Sequence, residues 1–286
     1  MDARRGTELA EDLGLWINTE SPVLALPADA GEKEAGQAFA RALEVRGLWQ
    51  RMDGPYREDL LSRFRVLDAQ EFMRDPYLSA VKPAGACRAG RFLLTEVEYQ
   101  RGELLQYRMP DYGAAWPKLS IGCFSGPVRT WALYENGLPW MTVCPSEISS
   151  MEKEMRHAHG RVLTLGLGLG YYPLTVAARE DVQSVTVVER EKDVIGLFTS
   201  HILPAFPQKD KLNIVQADAL DYCASLRDGD FDYCFADIWM GQEDGAPLYL
   251  ALRDILRPLK GMETEYWIER EIRAYLINRY EDRQEG

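Results

Sequence analysis

Residues 161–173 read Arg161-Val162-Leu163-Thr164-Leu165-Gly166-Leu167-Gly168-Leu169-Gly170-Tyr171-Tyr172-Pro173. The apolar run Val162 to Leu165 has the character of a buried strand, and it enters glycines at three alternate positions, Gly166, Gly168 and Gly170. Pro173 then opens a helical pattern. Further on, a second β-branched run, Val185-Thr186-Val187-Val188, ends on Glu189. A buried strand that runs into a glycine turn brings bare backbone close to a ligand, and an acid at the tip of the next strand can hold a ribose diol. Together they point to a nucleoside-containing cofactor.

Three kinds of glycine loop compete for this stretch. A phosphate loop needs a Lys-Ser/Thr pair after its glycines, and Tyr171-Tyr172-Pro173 stands there instead. The dinucleotide fingerprint needs glycine at the sixth position, where this chain has Tyr171. The spacing Gly-x-Gly-x-Gly resembles that of the class I S-adenosylmethionine-dependent methyltransferase superfamily. That resemblance implies S-adenosyl-L-methionine as cofactor, held at Gly166, Leu167, Gly168 and Gly170. It sets Glu189, followed by Arg190, where the family's acid binds the ribose hydroxyls. Asp218-Ala219 stands where an Asp receives the adenine amino group. Asp237 ends the fourth strand, Phe231 to Ala236, facing the cleft, and is the candidate catalytic base. Glu147, Tyr171 and Trp239 are candidates for contact with the substrate. Plainer roles stay open: glycines that ease packing, Asp218 as a helix cap, Asp237 as a turn residue and Trp239 as a core side chain.

A narrower resemblance lies upstream. Asn136-Gly137 between strand-like runs, then Glu147-Ile148-Ser149-Ser150-Met151-Glu152, is similar to the polyamine synthase branch, the spermidine synthases and their relatives. The likeness covers residues 128–245. In that branch a Tyr-His pair stands where this chain has Ser150-Met151, and an Asp-x-x-Asp-Pro follows the fourth strand. Only Asp237 remains of that motif, with Met240 at the second acid. A polycationic substrate needs several carboxylates; Glu147, Glu152, Asp237, Glu243 and Asp244 replace the lost ones only in part. No Asn/Asp-Pro-Pro-Tyr/Phe follows the fourth strand, which argues against the exocyclic amines of nucleic-acid bases. The resemblance therefore implies a methyltransferase acting on a small-molecule acceptor. An aminopropyltransferase and a non-catalytic cofactor-binding protein are the alternatives.

The totals agree. Lys and Arg number 33 against 45 Asp and Glu, a net charge of −12, which disfavours nucleic acid as a partner. No apolar run is long enough for a membrane span, and Met1 to Arg5 lead into an acidic segment with no long apolar core. The five scattered cysteines include no Cys-x-x-Cys, as expected of reduced thiols in a cytoplasmic protein. His157 and His159 are two apart and do not share a helix face, so no metal site is expected.

Three segments are expected: a mostly helical region over 1–90, an antiparallel hairpin unit over 91–148, and a Rossmann-like α/β domain over 149–286. Residues 1–31 carry few periodic signals. Two helical faces follow, Ala35, Phe39, Ala42 and Leu43, then Leu60, Leu61, Phe64 and Leu67, separated by Asp53-Gly54-Pro55. Strand-like runs 92–99 and 103–107 flank a turn at Arg101-Gly102. Asn136-Gly137 is a strong hairpin signal, because both turn positions need positive φ. Ser149-Ser150-Met151-Glu152 reads as a capping box that starts a helix. Strands are expected at 161–165, 184–189, 212–216, 231–236 and 265–268, with helices at 173–180, 191–203, 219–227 and 245–258. That alternation implies a parallel sheet with helices on both faces, shortened after its fifth strand. The last strand is a bare edge, to be covered by N-terminal residues or by a second subunit in a homodimer.

Overall fold

The computed structural model describes residues 3–82, 85–111 and 116–285, with side chains as far as residue 277. Met1 and Asp2 of the N-terminal stretch lie outside the described residues. In chain order, helices α1 (Ala3–Glu20), α2 (Glu32–Arg46) and α3 (Gly54–Ser62) precede strand β1 (Arg65–Leu67) and the short helices α4 (Ala69–Phe72) and α5 (Pro76–Ala80). Strands β2 (Cys87–Ala89), β3 (Phe92–Tyr99), β4 (Leu104–Asp111), β5 (Lys118–Phe124), β6 (Val128–Glu135) and β7 (Leu138–Thr142) follow. The remainder alternates: α6 (Pro145–His157), β8 (Gly160–Leu165), α7 (Tyr171–Ala177), β9 (Val182–Glu189), α8 (Lys192–His201), β10 (Leu212–Gln216) and α9 (Ala219–Ala224). It closes with β11 (Tyr233–Ala236), α10 (Gln242–Leu256), β12 (Glu263–Tyr266) and α11 (Glu269–Glu285). No helix among the described residues is long and apolar enough to cross a membrane.

Two compact units result. One comprises 1–79, 96–130 and 144–149; the other 80–95, 131–143 and 150–286. These cut across the segments 1–90, 91–148 and 149–286, because strands β3 and β6 and helix α6 each contribute to both.

In the first unit, α1 is a helix that the sequence reading missed. Leu9, Ala10, Leu13, Trp16 and Ile17 recur at helical spacing, and all are buried against Ala35, Phe39 and Leu43 of α2. Asp53-Gly54-Pro55 turns out to be the start of α3: the Asp53 carboxylate accepts the Tyr56 N–H at 3.0 Å, and Pro55 sits in the first turn. A three-stranded sheet, β1-β5-β4, backs these helices, with β1 parallel and β4 antiparallel to β5. The strands flanking Arg101-Gly102 do not join the same sheet. β4 pairs with β5, whereas β3 belongs to the sheet β2-β3-β6-β7. The Arg101 guanidinium instead ties residues 26–28 down, donating to the carbonyls of Leu26, Pro27 and Ala28.

Asn136-Gly137 forms the expected tight turn. Both residues have positive φ, +50° and +83°, and Glu135 faces Leu138 across it. Helix α6 begins at Pro145 rather than at Ser149. Proline pre-sets the helical φ in the first turn, and Ser149 lies inside, its hydroxyl donating back to the Ser146 carbonyl at 3.0 Å.

The second unit is built on a five-stranded, wholly parallel sheet ordered β10-β9-β8-β11-β12. In order of appearance this is 3-2-1-4-5, a Rossmann-like arrangement. The central strands are nearly continuous apolar runs, as burial on both faces requires. Val162, Leu163 and Leu165 of β8, Val185 and Val187 of β9, and Cys234 and Ala236 of β11 are fully buried. Each strand and helix lies within a few residues of its expected place. Helix α10 starts three residues earlier than expected because the Asp244 carboxylate accepts the N–H groups of Met240 and Gly241.

At the entrance to β11, the Asp232 carboxylate accepts three N–H groups of Arg161, from its backbone (2.7 Å), Nε (3.0 Å) and Nη2 (2.9 Å). The guanidinium bonds and the backbone bond hold Asp232 at about 2, against an ordinary 3.8. A depressed carboxylate contributes stability that is complete above its unfolded value and is lost as pH falls through its folded value. About a third of the Asp232 side chain is exposed, so solvent screening reduces the contribution to about 1 kcal/mol. Asp232→Asn is expected to lower stability by that amount near neutrality. In urea melts it should also flatten the fall in midpoint between about pH 4 and pH 2.

Candidate functional site

The sheet order reverses between β8 and β11, and at such a point the carboxyl ends of neighbouring strands diverge to leave a crevice. The glycine loop leaves β8 there. Gly166, Gly168 and Gly170 all have left-handed φ, +97°, +51° and +76°. A Cβ on Gly166 would meet the Asp237 carbonyl oxygen at 2.1 Å, so the loops after β8 and β11 touch through bare backbone. The Asp237 N–H also donates to the Leu165 carbonyl at 2.9 Å. A Cβ on Gly168 would fall on Met141 Sδ, at 2.2 Å, and one on Gly170 on the Phe198 ring, at 2.1 Å. Positive φ favours glycine at all three positions, and at Gly166 the close backbone approach demands it.

Glu189, half-buried at the tip of β9, is fixed by two backbone donors. Its Oε2 accepts the Leu167 N–H at 3.1 Å and its Oε1 the Glu191 N–H at 2.8 Å. Each carboxylate oxygen has two lone pairs, so each retains one for a further donor. The neighbouring loop is tied to the same residue, since the Ala217 N–H donates to the Glu189 carbonyl at 3.1 Å. Next in sequence, Asp218 caps α9 with one oxygen, which accepts the N–H groups of Leu220 (2.8 Å) and Asp221 (3.2 Å). Its other oxygen lies on an exposed residue. Ala219, the first residue of α9, is buried, while Arg190 is exposed with its Nε 3.4 Å from Glu191.

Gly166, Leu167, Gly168, Gly170, Glu189 and Asp237 thus meet on one rim, with Asp218 and Ala219 beside them. Such a rim suits an adenosine: a carboxylate with spare acceptors for a diol, a second acid nearby, and a loop whose backbone is stripped of side chains. The remaining candidates have other surroundings. Trp239 is buried, its indole N–H donates to the Trp267 carbonyl at 3.2 Å, and its ring stacks near Tyr266, which is a core role. Tyr171 is buried in the first turn of α7. Glu147 belongs to the other compact unit, where burial pushes its carboxyl above the usual range.

Met141 on β7 escaped the sequence reading. Its thioether sits on Gly168 and accepts the Leu169 N–H at 3.3 Å. Nothing in the local sequence marks this methionine; only the fold-back of the Asn136-Gly137 hairpin brings it to the loop. Arg91 was missed for the same reason. It pairs with Glu135 on that hairpin and, at 2.7 Å, with Glu191 beyond β9. One cavity of about 350 Å³ lies elsewhere in this unit, lined by Arg253, Leu256, Leu259, Met262, Thr264 and Tyr266. Another, of about 300 Å³, lies among Asp12, Trp16, Arg46 and Arg51 of the first unit.

No protein-family model matches the sequence, and no curated protein matches it. Among solved structures, a spermidine synthase from Thermotoga maritima is similar at 17% identity and a TM-score of 0.34, over 60% of this chain and 54% of that one. A probable spermidine synthase from Corynebacterium glutamicum is similar at 16% identity and a TM-score of 0.35, over 56% and 53%. A precorrin 8w decarboxylase from Methanobacterium thermoautotrophicum is similar at 21% identity and a TM-score of 0.28, over 37% and 52%. The chain spans about half the length of each of these structures.

Proposed function

We propose that this chain is an S-adenosylmethionine-dependent methyltransferase acting on a small-molecule acceptor. The observation that supports it best is the hydrogen bond from the Leu167 N–H in the glycine loop to the Glu189 carboxylate at the tip of the adjacent strand. It joins the two elements that an adenosine cofactor needs, at the crevice where parallel sheets bind ligands. Gly166, Leu167, Gly168, Gly170, Glu189 and Asp218 would hold the cofactor. When bound, it supplies an electrophilic methyl group on a sulfonium that carries its own positive charge.

The protein's tasks are then modest. Glu189, held by two backbone donors, offers its remaining lone pairs to a diol without needing to reorganise. Asp237 stands at the crevice beside Gly166 and is the candidate base for a proton leaving an amine or hydroxyl acceptor. Alignment of the acceptor supplies most of the acceleration. The net charge of −12 favours an acceptor other than nucleic acid. Asp244 accepts the N–H groups of Met240 and Gly241 at the start of α10 and so serves as a helix cap. The edge strand β12 pairs with β11 alone in its sheet, and homodimerisation across it is part of the proposal.

Calorimetry with S-adenosylmethionine and with its decarboxylated form tests the reading. Tighter binding of the former is expected; tighter binding of the latter would favour aminopropyl transfer, and binding of neither would leave a protein without this cofactor. Asp237→Asn is expected to lower kcat by about 10²–10⁴-fold at unchanged cofactor affinity. Full activity in that variant would remove Asp237 as the base.

A further inference from the structure

A second cluster of chemistry-bearing residues lies at the other end of the same sheet. Helix α6 presents Glu154 and His157 on one face, three residues apart. Strand β12 presents Glu263 and Glu265 on one face, two residues apart. His157 Nδ1 lies 3.1 and 3.2 Å from the two oxygens of Glu265, which is 108 residues further along the chain. One ligand atom from each of His157, Glu263 and Glu265 falls within 4.8 Å of the others. In register, Glu263 faces Tyr233, which faces Val162, so this end holds the starts of the strands. Gly166 and Asp237 follow their ends.

Glu154 is the independent clue. It is only 9% exposed, and its Oε2 has no hydrogen-bond partner among the described residues. A carboxylate oxygen shut away from water without a partner is costly. Its other oxygen lies 4.0 Å from Lys153 Nζ, and the same ammonium binds Glu265 at 2.6 Å. Glu265 also meets His157 and accepts the Tyr233 hydroxyl, whereas burial pushes the Glu154 carboxyl above its usual range. The Lys153 side chain is 60% exposed, so a metal ion that displaced it would leave its ammonium in water.

From this geometry we infer a divalent transition-metal site, with His157, Glu263 and Glu265 as ligands and Glu154 as the buried acid beside them. An imidazole nitrogen mixed with carboxylate oxygens suits Zn²⁺ or Mn²⁺ better than Ca²⁺, whose sites are built of oxygen. The separation between His157 Nδ1 and Glu265 is that of neighbouring ligands each about 2.1 Å from one ion. A metal here displaces Lys153 and staples the end of α6 to the edge strand. It plays no part in methyl transfer, which is proposed for the opposite end.

The test uses the full chain, stripped with a chelator and titrated with Zn²⁺ or Mn²⁺ alone by calorimetry, with thermal melts in parallel. One equivalent is expected to bind and to raise Tm. Glu263→Gln, at an exposed position, and His157→Gln are each expected to weaken binding at least tenfold, whereas His201→Gln, at the distant Cys87–His201 contact, leaves it unchanged. Glu154→Gln supplies a variant that keeps the metal ligands and should weaken binding less. The inference is overturned if neither metal binds, or if Glu263→Gln and His157→Gln bind as tightly as the parent chain.

Discussion

Gly166→Ala is expected to lower stability by about 2–6 kcal/mol and to abolish binding of S-adenosylmethionine. Two costs add. The residue has φ of +97°, where an L side chain is strained by about 1–3 kcal/mol. The new Cβ would also lie 2.1 Å from the Asp237 carbonyl oxygen and 3.1 Å from its carbon. Both are backbone atoms of the loop that carries the candidate base, so relief requires the two loops to part. Overpacking of that kind costs about 1–3 kcal/mol. Gly168→Ala makes an instructive contrast. Its Cβ would meet the Sδ and Cε of Met141 at 2.2 and 2.6 Å, the far end of a flexible side chain. That damage should be smaller, and Met141→Ala should relieve part of it. Urea melts of the single and double variants check the ordering. A Gly166→Ala midpoint indistinguishable from wild type would contradict the closeness of the two loops.

Glu189→Gln is the second large effect, although it looks conservative. Both carboxylate oxygens already accept backbone N–H groups, from Leu167 and Glu191. An amide replaces one acceptor with a donor, so one of those N–H groups faces another N–H. Hydrogen bonds to a charged acceptor are worth about 1.5–3 kcal/mol each. With the diol partner weakened and the loop anchor lost, cofactor affinity is expected to fall about 100-fold, equivalent to about 2.7 kcal/mol. Stability should fall by about 1–2 kcal/mol from the unsatisfied donor. Titration with S-adenosylhomocysteine measures the first and denaturant melts the second. Unchanged affinity would remove Glu189 from the proposed ribose site.

The parts of this fold that could be read in the sequence are those where a local pattern has one physical solution. Val162 to Leu165 and Val185 to Val188 could hardly be anything but buried strands. Asn136-Gly137 has the positive φ values that it announced. The order of strands and helices after residue 160 follows from their alternation. What escaped depended on distant partners or on competing local signals. Helix α1 has a good apolar face, but Gly14 and the acids Glu11 and Asp12 between Leu9 and Ile17 dilute it. Ser149-x-x-Glu152 has the form of a capping box, yet Pro145 nucleates the helix first. The strands on either side of Arg101-Gly102 choose different sheets, and no local pattern records which partner a strand will find.

The candidate site residues could be named from the sequence, but not all of their surroundings. The glycines and Glu189 came from spacing, Asp218 came from the family resemblance, and the rim they share follows from strand order. Trp239 was drawn toward the substrate by its position after β11, but its indole N–H is spent on the Trp267 carbonyl. Met141, Arg91 and the Glu154–His157–Glu263–Glu265 cluster depend on contacts between segments far apart in the chain, so their spacing carries no signal. The glycines taught a further lesson. Each has positive φ and crowds a neighbouring group of the protein itself, so the case for a cofactor rests on Glu189 and its hydrogen bond to the loop.

The most direct test of that case is a crystal structure of the chain grown with saturating S-adenosylhomocysteine. The ribose hydroxyls are expected on the Glu189 carboxylate, the adenine beside Asp218, and the sulfur end toward Gly166 and Asp237. Nucleoside density anywhere else, or none at the glycine loop, would contradict the proposed function.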